Sequence, residues 1–285
     1  MVKKISFCTT CRNRLWQLKE TLAFNLQALR EDHELVLVDY GSTDEISSWV
    51  WDNFRSYIAE GQLTFFEVSN EVSWNSARAK NLAHRLASGA YLFGLDADNF
   101  LNSTDLKGVT EACARNVACH QWSGIWGDGS YGRIGVPAGF FRAMGGYDET
   151  LLPMGGQDVD LINRIKHLGY EVLQLSPPEI SAIQNSMGQK IGEVVSCSAS
   201  AQKSSKADKL SALLFSFGLQ RKFFPKTDKK KKNLYKTMNS LNLKISEFRL
   251  ENEGPIRVGG GFSYRGILNG RKVGINGFDE SFEFD

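Results

Sequence analysis

The stretch Ala90-Tyr-Leu-Phe-Gly-Leu-Asp-Ala-Asp98 is an apolar run that ends in two carboxylates one residue apart. An apolar run of this length directly after Gly89 is typical of a buried strand. Two acids at the end of such a strand can bind a divalent cation and leave coordination positions for a diphosphate. Solvated loop acids are also common at strand ends, and on the motif alone the two interpretations deserve equal weight.

Strand and helix patterns alternate through the first 100 residues. Strands are predicted at 5–9, 34–39, 63–68 and 90–95, and helices at 15–29, after the capping residues 42–44, and at 75–88. This alternation predicts an α/β fold with a mostly parallel, doubly wound sheet flanked by helices. Because ligands bind such sheets at the carboxyl ends of the strands, we expect Thr9, Asp39 and Asp96 to meet at one edge.

The pattern changes after residue 100. The sequence then predicts an antiparallel excursion at 120–136, a short helix at 140–144, a helix that ends at Gly169, and a strand at 171–175. Residues 196–205 are small and polar, which favours a linker or a mobile loop. Residues 251–285 are rich in glycine and alternate in polarity, which favours small hairpins over a helix.

The net charge of +2 conceals an uneven distribution of charge. Residues 201–250 carry 13 basic and 3 acidic side chains, a formal +10, so the rest of the chain sums to −8. Hydrophobic residues at 42% and charged residues at 23% are ordinary for a globular protein. The balance argues against a nucleic-acid coat protein, and it predicts a mildly acidic body with a basic extension.

Cysteine usage predicts reduced thiols. The five cysteines are an odd number, and Cys8 and Cys11 fall within a predicted strand and the loop that follows it. A redox pair or half of a zinc site is the less favoured interpretation, because no second closely spaced pair is present. The apolar residues after Lys4 are too few for a signal-peptide core, and no run reaches the length of a membrane span. We therefore expect a cytoplasmic protein.

Four motifs, in this order, resemble those of the GT-A glycosyltransferases, especially family 2 and the β-1,4-galactosyltransferase type. They are the opening strand and loop at 5–13, Val36-Leu-Val-Asp-Tyr-Gly-Ser-Thr-Asp44, the segment from Ala77-Arg-Ala-Lys-Asn81 to Asp98, and Gly145-Gly-Tyr-Asp-Glu149 with Gly155-Gly-Gln-Asp-Val-Asp-Leu-Ile-Asn-Arg164. The likeness covers roughly residues 3–176. It implies a GT-A domain at 1–190, with a nucleotide-binding half at 1–100 and an acceptor-binding half at 101–190, followed by a basic extension at 191–285.

The resemblance implies an inverting enzyme that moves a sugar from a UDP-sugar to an acceptor hydroxyl, in the synthesis of a surface polysaccharide or glycolipid. Asp158 matches the catalytic base, and Asp98 with Asp96 matches the site of Mn2+ or Mg2+. The remaining matched residues are Thr9, Arg12, Asp39, Tyr40, Arg78 and Asp96 for the donor nucleotide, and Gly156, Gln157 and Asp158 for the acceptor. Without the resemblance, Asp158 would be an ordinary acid at a helix N-terminus, where the helix dipole favours the ionised form.

The sequence departs from the family pattern at several of these positions. Tyr40 replaces an acid that often recognises the base, and it either stacks on the base or packs in the core. Gln157 replaces a glutamate and can hydrogen-bond a sugar but cannot ionise. Met154 replaces the aromatic residue before the two glycines, so Trp126 or Tyr131 is a candidate for stacking on the acceptor, unless both are core residues.

The third metal ligand is also missing from the pattern. Galactosyltransferases supply a histidine after the acceptor helix, whereas the last histidine of this chain is His167, within that helix. Glu179 or Asn185 is a candidate replacement. In the remaining alternative, Asp98 and the diphosphate hold the metal alone.

Two alternatives for the function and two interpretations of a basic segment remain open. The chain could use a GDP- or dTDP-sugar, or it could be a catalytically silent GT-A module that binds a glycan or a partner enzyme. The apolar and basic segment at 210–232 fits a peripheral contact with the inner face of a membrane, useful for a lipid-linked acceptor, or a packed helix followed by a charged loop. No nucleic-acid module accompanies it, so nucleic acid is not an expected partner.

Overall fold

The computed structural model describes residues 4–69, 73–185, 228–257, 263–276 and 280–283. Within these residues the chain forms one mixed sheet with helices on both faces. The strands are β1 Ile5–Cys11, β2 His33–Asp39, β3 Leu63–Val68, β4 Tyr91–Gly94, β5 Ala118–His120, β6 Ile134–Pro137, β7 Val172–Gln174, β8 Ser263–Leu268, β9 Arg271–Asn276 and β10 Glu280–Glu283. The helices are α1 Leu15–Ala28, α2 Ile46–Ala59, α3 Ser76–Leu86, α4 Ser103–Arg115, α5 Ala138–Ala143, α6 Gln157–His167 and α7 Asp228–Glu253.

The central strands are parallel, as the alternating pattern predicts. The sheet order is β10-β9-β8-β3-β2-β1-β4-β6-β5-β7, with β1 parallel to both β2 and β4. Cys11 pairs with Asp39 across β1 and β2, and the amide of Leu95 donates to the carbonyl of Cys8. The carboxyl ends of β1, β2 and β4 therefore lie along one edge. The α/β fold class is confirmed.

The core lies in two layers, one on each face of the sheet. Cys8 packs in one layer with Val36 and Val38, while Phe7 and Cys11 pack in the other, because neighbouring strand residues face opposite sides. Burial raises the pKa of both thiols, with a further rise from Glu34 for Cys8 and from Asp39 for Cys11. Both groups stay protonated at neutral pH and behave as small apolar side chains.

The C-terminal part of the chain joins the same sheet. Strand β8 pairs antiparallel with β3, and β9 and β10 continue outward from it, which confirms strands rather than a helix in this region. The run Lys229–Lys232 lies in the first turns of α7 and not in a loop after a helix. Residues 196–205 and 210–224 lie outside the described residues, and the domain boundary at 190 stays a prediction.

Among the helices in the described part of the chain, none has the length and apolar composition that crossing a membrane requires.

Candidate active site

A cavity of about 590 Å³ opens beside the carboxyl ends of β1 and β4. The residues of the predicted site that line it are Arg12, Asp96, Asp98, Gly156, Gln157 and Asp158. The first three follow strands of the nucleotide-binding half, and the last three begin helix α6. The fold therefore brings the predicted metal ligands and the predicted base to one cavity.

Lys80 lies at the centre of this site and joins two of its acids. Its ammonium donates to Asp158 Oδ1 at 2.8 Å and lies 3.3 Å from Asp96 Oδ1. Asn75 fixes the start of α3 by accepting a hydrogen bond from the backbone of Arg78, which places Lys80 on the inner face of the helix. Burial alone would lower the pKa of Lys80, but Asp158 and Asp96 outweigh it and raise the pKa well above its usual value.

The loop before β6 closes over these charges. A Cβ atom at Gly132 would lie 2.7 Å from Asp96 Oδ2 and 3.0 Å from Lys80 Nζ. Only a glycine fits there without displacing the ion pair. A small residue at position 132 is therefore part of how the site is formed.

Asp98 is surrounded by amides. Its Oδ1 accepts from Asn99 at 2.7 Å, and its Oδ2 accepts from Asn185 at 2.9 Å. Gln17 in turn donates to Asn185 Oδ1 at 3.0 Å, so the second amide has a fixed orientation. Of the two candidates for a third metal ligand, Asn185 is adjacent to Asp98, while Glu179 accepts a hydrogen bond from Asn102 at 2.7 Å. Within the described residues, no cluster of three or more His, Cys, Asp or Glu residues is suited to hold a metal.

The predicted nucleotide residues divide into two groups. Arg12 lines the cavity and donates to the carbonyl of Tyr40 at 2.8 Å. Thr9, Asp39 and Arg78 are buried below that surface. Burial raises the pKa of Asp39 to about 6, although hydrogen bonds from Ser42 oppose the shift.

The side chains of two other predicted site residues contact other parts of the protein instead of the cavity contents. Tyr40 is fully buried and contacts Trp74 and Tyr264 edge to face, with ring centroids 5.8 and 6.0 Å apart. Of the two sequence interpretations for Tyr40, the structure matches the core residue. Gln157 is also buried and donates to the carbonyl of Leu152 at 2.7 Å, so its amide stabilises the turn before α6.

An aromatic cluster contributes to the lining of the cavity. Trp126 stacks on Tyr131 with centroids 4.7 Å apart and an interplanar angle of 17°, and Trp122 contacts both rings. Trp126 nevertheless remains 67% exposed. Both Trp126 and Tyr131 line the cavity, so they are not core residues alone.

A family model described as Glycosyl transferase family 2 matches residues 6–152. The chain belongs to this family. The match covers Lys80, Asp96 and Asp98 and ends before Asp158. It confirms the resemblance to family 2, and the protein is a glycosyltransferase.

Solved structures with this fold are similar over most of the chain. TarS 1–349 of S. aureus in complex with UDP is 14% identical, with a TM-score of 0.52 and 97% of each chain covered. The mannosyltransferase PcManGT of Pyrobaculum calidifontis, in complex with GDP-Man and Mn2+, is 17% identical, with a TM-score of 0.52, 89% of this chain covered and 88% of its own. The catalytic domain of Drosophila β1,4-galactosyltransferase 7 is 13% identical, with a TM-score of 0.43 and coverage of 74% and 79%. At these identities the likeness shows the fold alone. Among curated proteins, no match was found.

Sequence reasoning missed several residues of this glycosyltransferase cavity. Lys80 lies within the motif Ala77-Arg-Ala-Lys-Asn81, one helical turn after Ala77. This position could have predicted that it lies beside the strand-end acids. Tyr235, Lys236 and Asn239 on α7 also line the cavity. No local signal identifies these three, because their position depends on how a distant helix packs.

Proposed function

We propose that the protein is an inverting glycosyltransferase that moves a sugar from a UDP-sugar to a hydroxyl of a glycan or lipid-linked acceptor, in the synthesis of a surface polysaccharide or glycolipid. The observation that carries the proposal is the convergence of Asp96, Asp98 and Asp158 on one cavity, with Lys80 between two of them. The nucleotide is assigned to the half at 1–100, and the acceptor to the half at 101–190.

Asp158 is the proposed base. It is the second residue of α6, where the helix dipole favours a carboxylate, and its side chain is 25% exposed toward the cavity. It takes the proton of the acceptor hydroxyl as that oxygen bonds to the anomeric carbon and the diphosphate leaves from the opposite face. A single displacement of this kind inverts the anomeric configuration.

Positive side chains near the strand ends support departure of the diphosphate. Lys80 and Arg12 both line the cavity at the nucleotide side. Fixed cations in a partly enclosed site stabilise the negative charge that develops on a leaving group. Arg12 is held in place because its guanidinium donates to the carbonyl of Tyr40.

Asp96 and Asp98 are the residues that would hold Mn2+ or Mg2+. Carboxylate oxygens are ligands that such cations prefer. Asn185 turns its NH2 group toward Asp98 and its oxygen toward Gln17, so its amide would have to turn over before it could act as a ligand. In this proposal the two carboxylates would replace their present contacts with Lys80, Asn99 and Asn185 by the ion and leave further coordination positions for the diphosphate. When bound, the ion would neutralise charge on the diphosphate.

The acceptor is proposed to lie against Trp126. An exposed indole suits the apolar face of a pyranose ring, and Tyr131 supports it from behind. This orientation would place an acceptor hydroxyl near Asp158, which lines the same cavity.

Donor turnover is the test of this proposal. UDP-, GDP- and dTDP-sugars are incubated with the protein and a mixture of glycan acceptors, with manganese or with EDTA. We expect turnover of a UDP-sugar with manganese, loss of turnover in EDTA, and a product of inverted configuration by NMR. TarS was solved with UDP and PcManGT with GDP-Man, so the GDP arm tests the main competing donor. Full activity in EDTA would contradict the metal assignment, and a retained configuration would contradict the mechanism.

The segment 210–232 is proposed to contact an anionic membrane surface, which would bring the enzyme to the inner face of a membrane. Its support is the sequence, which combines apolar residues with Lys229–Lys232. Sedimentation with vesicles that contain anionic lipid should retain the natural protein and lose a variant with all four lysines changed to serine. Equal sedimentation of both would contradict the contact.

A further inference from the structure

Helix α7 lies outside the segment that the family model matches, yet it forms one wall of the cavity. Tyr235 and Lys236 are neighbours in its N-terminal part, Asn239 lies one turn later, and all three line the same cavity as Asp158. The family match ends at residue 152. This wall therefore comes from the part of the chain beyond the matched segment.

Asn242 fixes α7 to the turn that precedes the proposed base. It is fully buried, and its Oδ1 accepts from the amide of Leu152 at 2.7 Å. Its Nδ2 donates to the carbonyls of Leu152 at 3.0 Å and Gly155 at 2.6 Å. A buried amide with both ends satisfied by backbone groups holds the helix and the turn in one arrangement.

The contact between α7 and this turn is also very close. Gly155 and Gly156 have φ angles of 88° and 83°, and a Cβ atom at either would lie 3.0 Å from Cβ of Asn239 or Asn242, respectively. Further along, Ser246 donates to Asp160 in α6 at 2.6 Å. The position of the α7 wall relative to Asp158 is thus fixed at three successive points.

The side chains of this wall are suited to bind a sugar. Tyr235 offers a hydroxyl, Lys236 an ammonium and Asn239 an amide, all groups that hydrogen-bond to sugar hydroxyls. Burial and, second, the charge of Asp158 raise the pKa of Tyr235, so its hydroxyl remains a donor. Among the described residues, no carboxylate pairs with Lys236. The exposed ring of Trp126 belongs to the same cavity and offers an apolar surface.

We propose that Tyr235, Lys236 and Asn239 form the acceptor subsite and bind one pyranose unit. Its polar edge hydrogen-bonds to α7 and its apolar face packs on Trp126, so that one hydroxyl faces Asp158. This inference rests on the proposed function, extends the acceptor site from the half at 101–190 onto α7, and names the acceptor class of the same site. It also makes the C-terminal helix a determinant of acceptor specificity.

The test measures sugar and nucleotide binding separately on the full chain. Saturation-transfer NMR with the methyl β-glycosides of glucose, galactose and N-acetylglucosamine reports pyranose binding, with UDP and Mg2+ present. Calorimetry with UDP and Mg2+ reports nucleotide binding. The variants are Tyr235→Phe, Lys236→Gln and Asn239→Ala, with Asn252→Ala at the far end of α7 as a matched control. Thermal melting checks that each variant folds, and the exposed Lys236 gives a variant that leaves the core untouched.

We expect at least one methyl glycoside to bind, with about fivefold weaker binding in each subsite variant, as for the loss of one hydrogen bond. The affinity for UDP should stay unchanged in all variants, and Asn252→Ala should match the natural protein. Unchanged glycoside binding in the three subsite variants, weakened UDP binding in them, or no glycoside binding to the natural protein would each overturn the inference. If calorimetry shows that the natural protein binds none of UDP, GDP and dTDP, the proposed function itself is contradicted, independently of the result for glycoside binding.

Discussion

The strand-end acids and helix α7 form two sides of one cavity, but they reach it in different ways. Asp96 and Asp98 follow β4 directly, and parallel pairing with β1 sets their position. Tyr235 and Asn239 lie in a helix that is far away in sequence and is fixed by Asn242. The first region carries motifs that a family shares, whereas the second depends on tertiary packing. We propose that the strand-end acids act on the donor diphosphate, that Asp158 on α6 between them and α7 is the base, and that α7 selects the acceptor.

Asp158→Asn should give the largest effect. The amide cannot take a proton, and loss of a general base typically lowers the rate by about 10²- to 10⁴-fold. We expect transfer to fall by about a thousandfold, while calorimetry shows unchanged affinity for UDP. Asp52→Asn, an exposed acid on α2, is the matched control and should keep full activity. A transfer rate within a few-fold of the natural protein would refute the assignment of the base.

Lys80→Met should give the next largest effect. The substitution keeps the apolar stem of the side chain but removes the ammonium, so Asp96 and Asp158 lose the cation between them. We expect transfer to fall by about a hundredfold, since fixed charges at a leaving group contribute on this scale. Steady-state kinetics would locate the loss in kcat more than in the KM for acceptor. Lys19→Met, on the exposed side of α1, serves as the control. An equal loss of transfer rate in Lys19→Met would contradict a specific role of Lys80 at the leaving group.

Much of the strand-end region could be predicted from sequence. The alternation of strands and helices sets the parallel order, and the order places Asp39 and Asp96 at the same edge. The side-chain orientations could not be predicted in the same way. Tyr40 packs in the core because Trp74 and Tyr264 surround it, and Tyr264 comes from a strand of the C-terminal part.

The residues of α7 that line the cavity could not be predicted from sequence for a related reason. Lys229–Lys232 and the apolar residues before them predict a membrane contact rather than a place in the cavity. The residues that line the cavity begin at Tyr235 and have no motif. The role of Asn242 follows only from backbone groups of residues 152–155, which hydrophobic periodicity does not indicate.

Asn242→Ala tests whether the two regions are coupled. The substitution leaves the amide of Leu152 and the carbonyl of Gly155 buried without their partner, which typically costs about 1–3 kcal/mol. We expect a lower free energy of unfolding in denaturant titrations, and a fall in kcat at temperatures where the variant is fully folded. UDP affinity should be unchanged, because the strand-end region does not depend on this contact. If kcat of the folded variant equals that of the natural protein, α7 does not position the base.

The smallest effect concerns Asp39, which is buried in the strand-end region. Burial raises its pKa in the folded protein from 3.8 to about 6, so the folded state holds this proton more tightly than the unfolded state does. Stability contributed by this group is therefore greatest at low pH and falls as the pH rises through 6. Linkage gives a loss of about 1 kcal/mol between pH 5 and pH 7.

The Asp39→Asn variant has no carboxyl group to titrate at this position. The difference between its free energy of unfolding and that of the natural protein should therefore rise by about 1 kcal/mol between pH 5 and pH 7. Denaturant titrations at the two pH values measure it, with Asp52→Asn as control. If the difference in free energy of unfolding between the variant and the natural protein does not change with pH, Asp39 is in contact with water. The carboxyl ends of the strands would then be as accessible to solvent as the cavity side of α7.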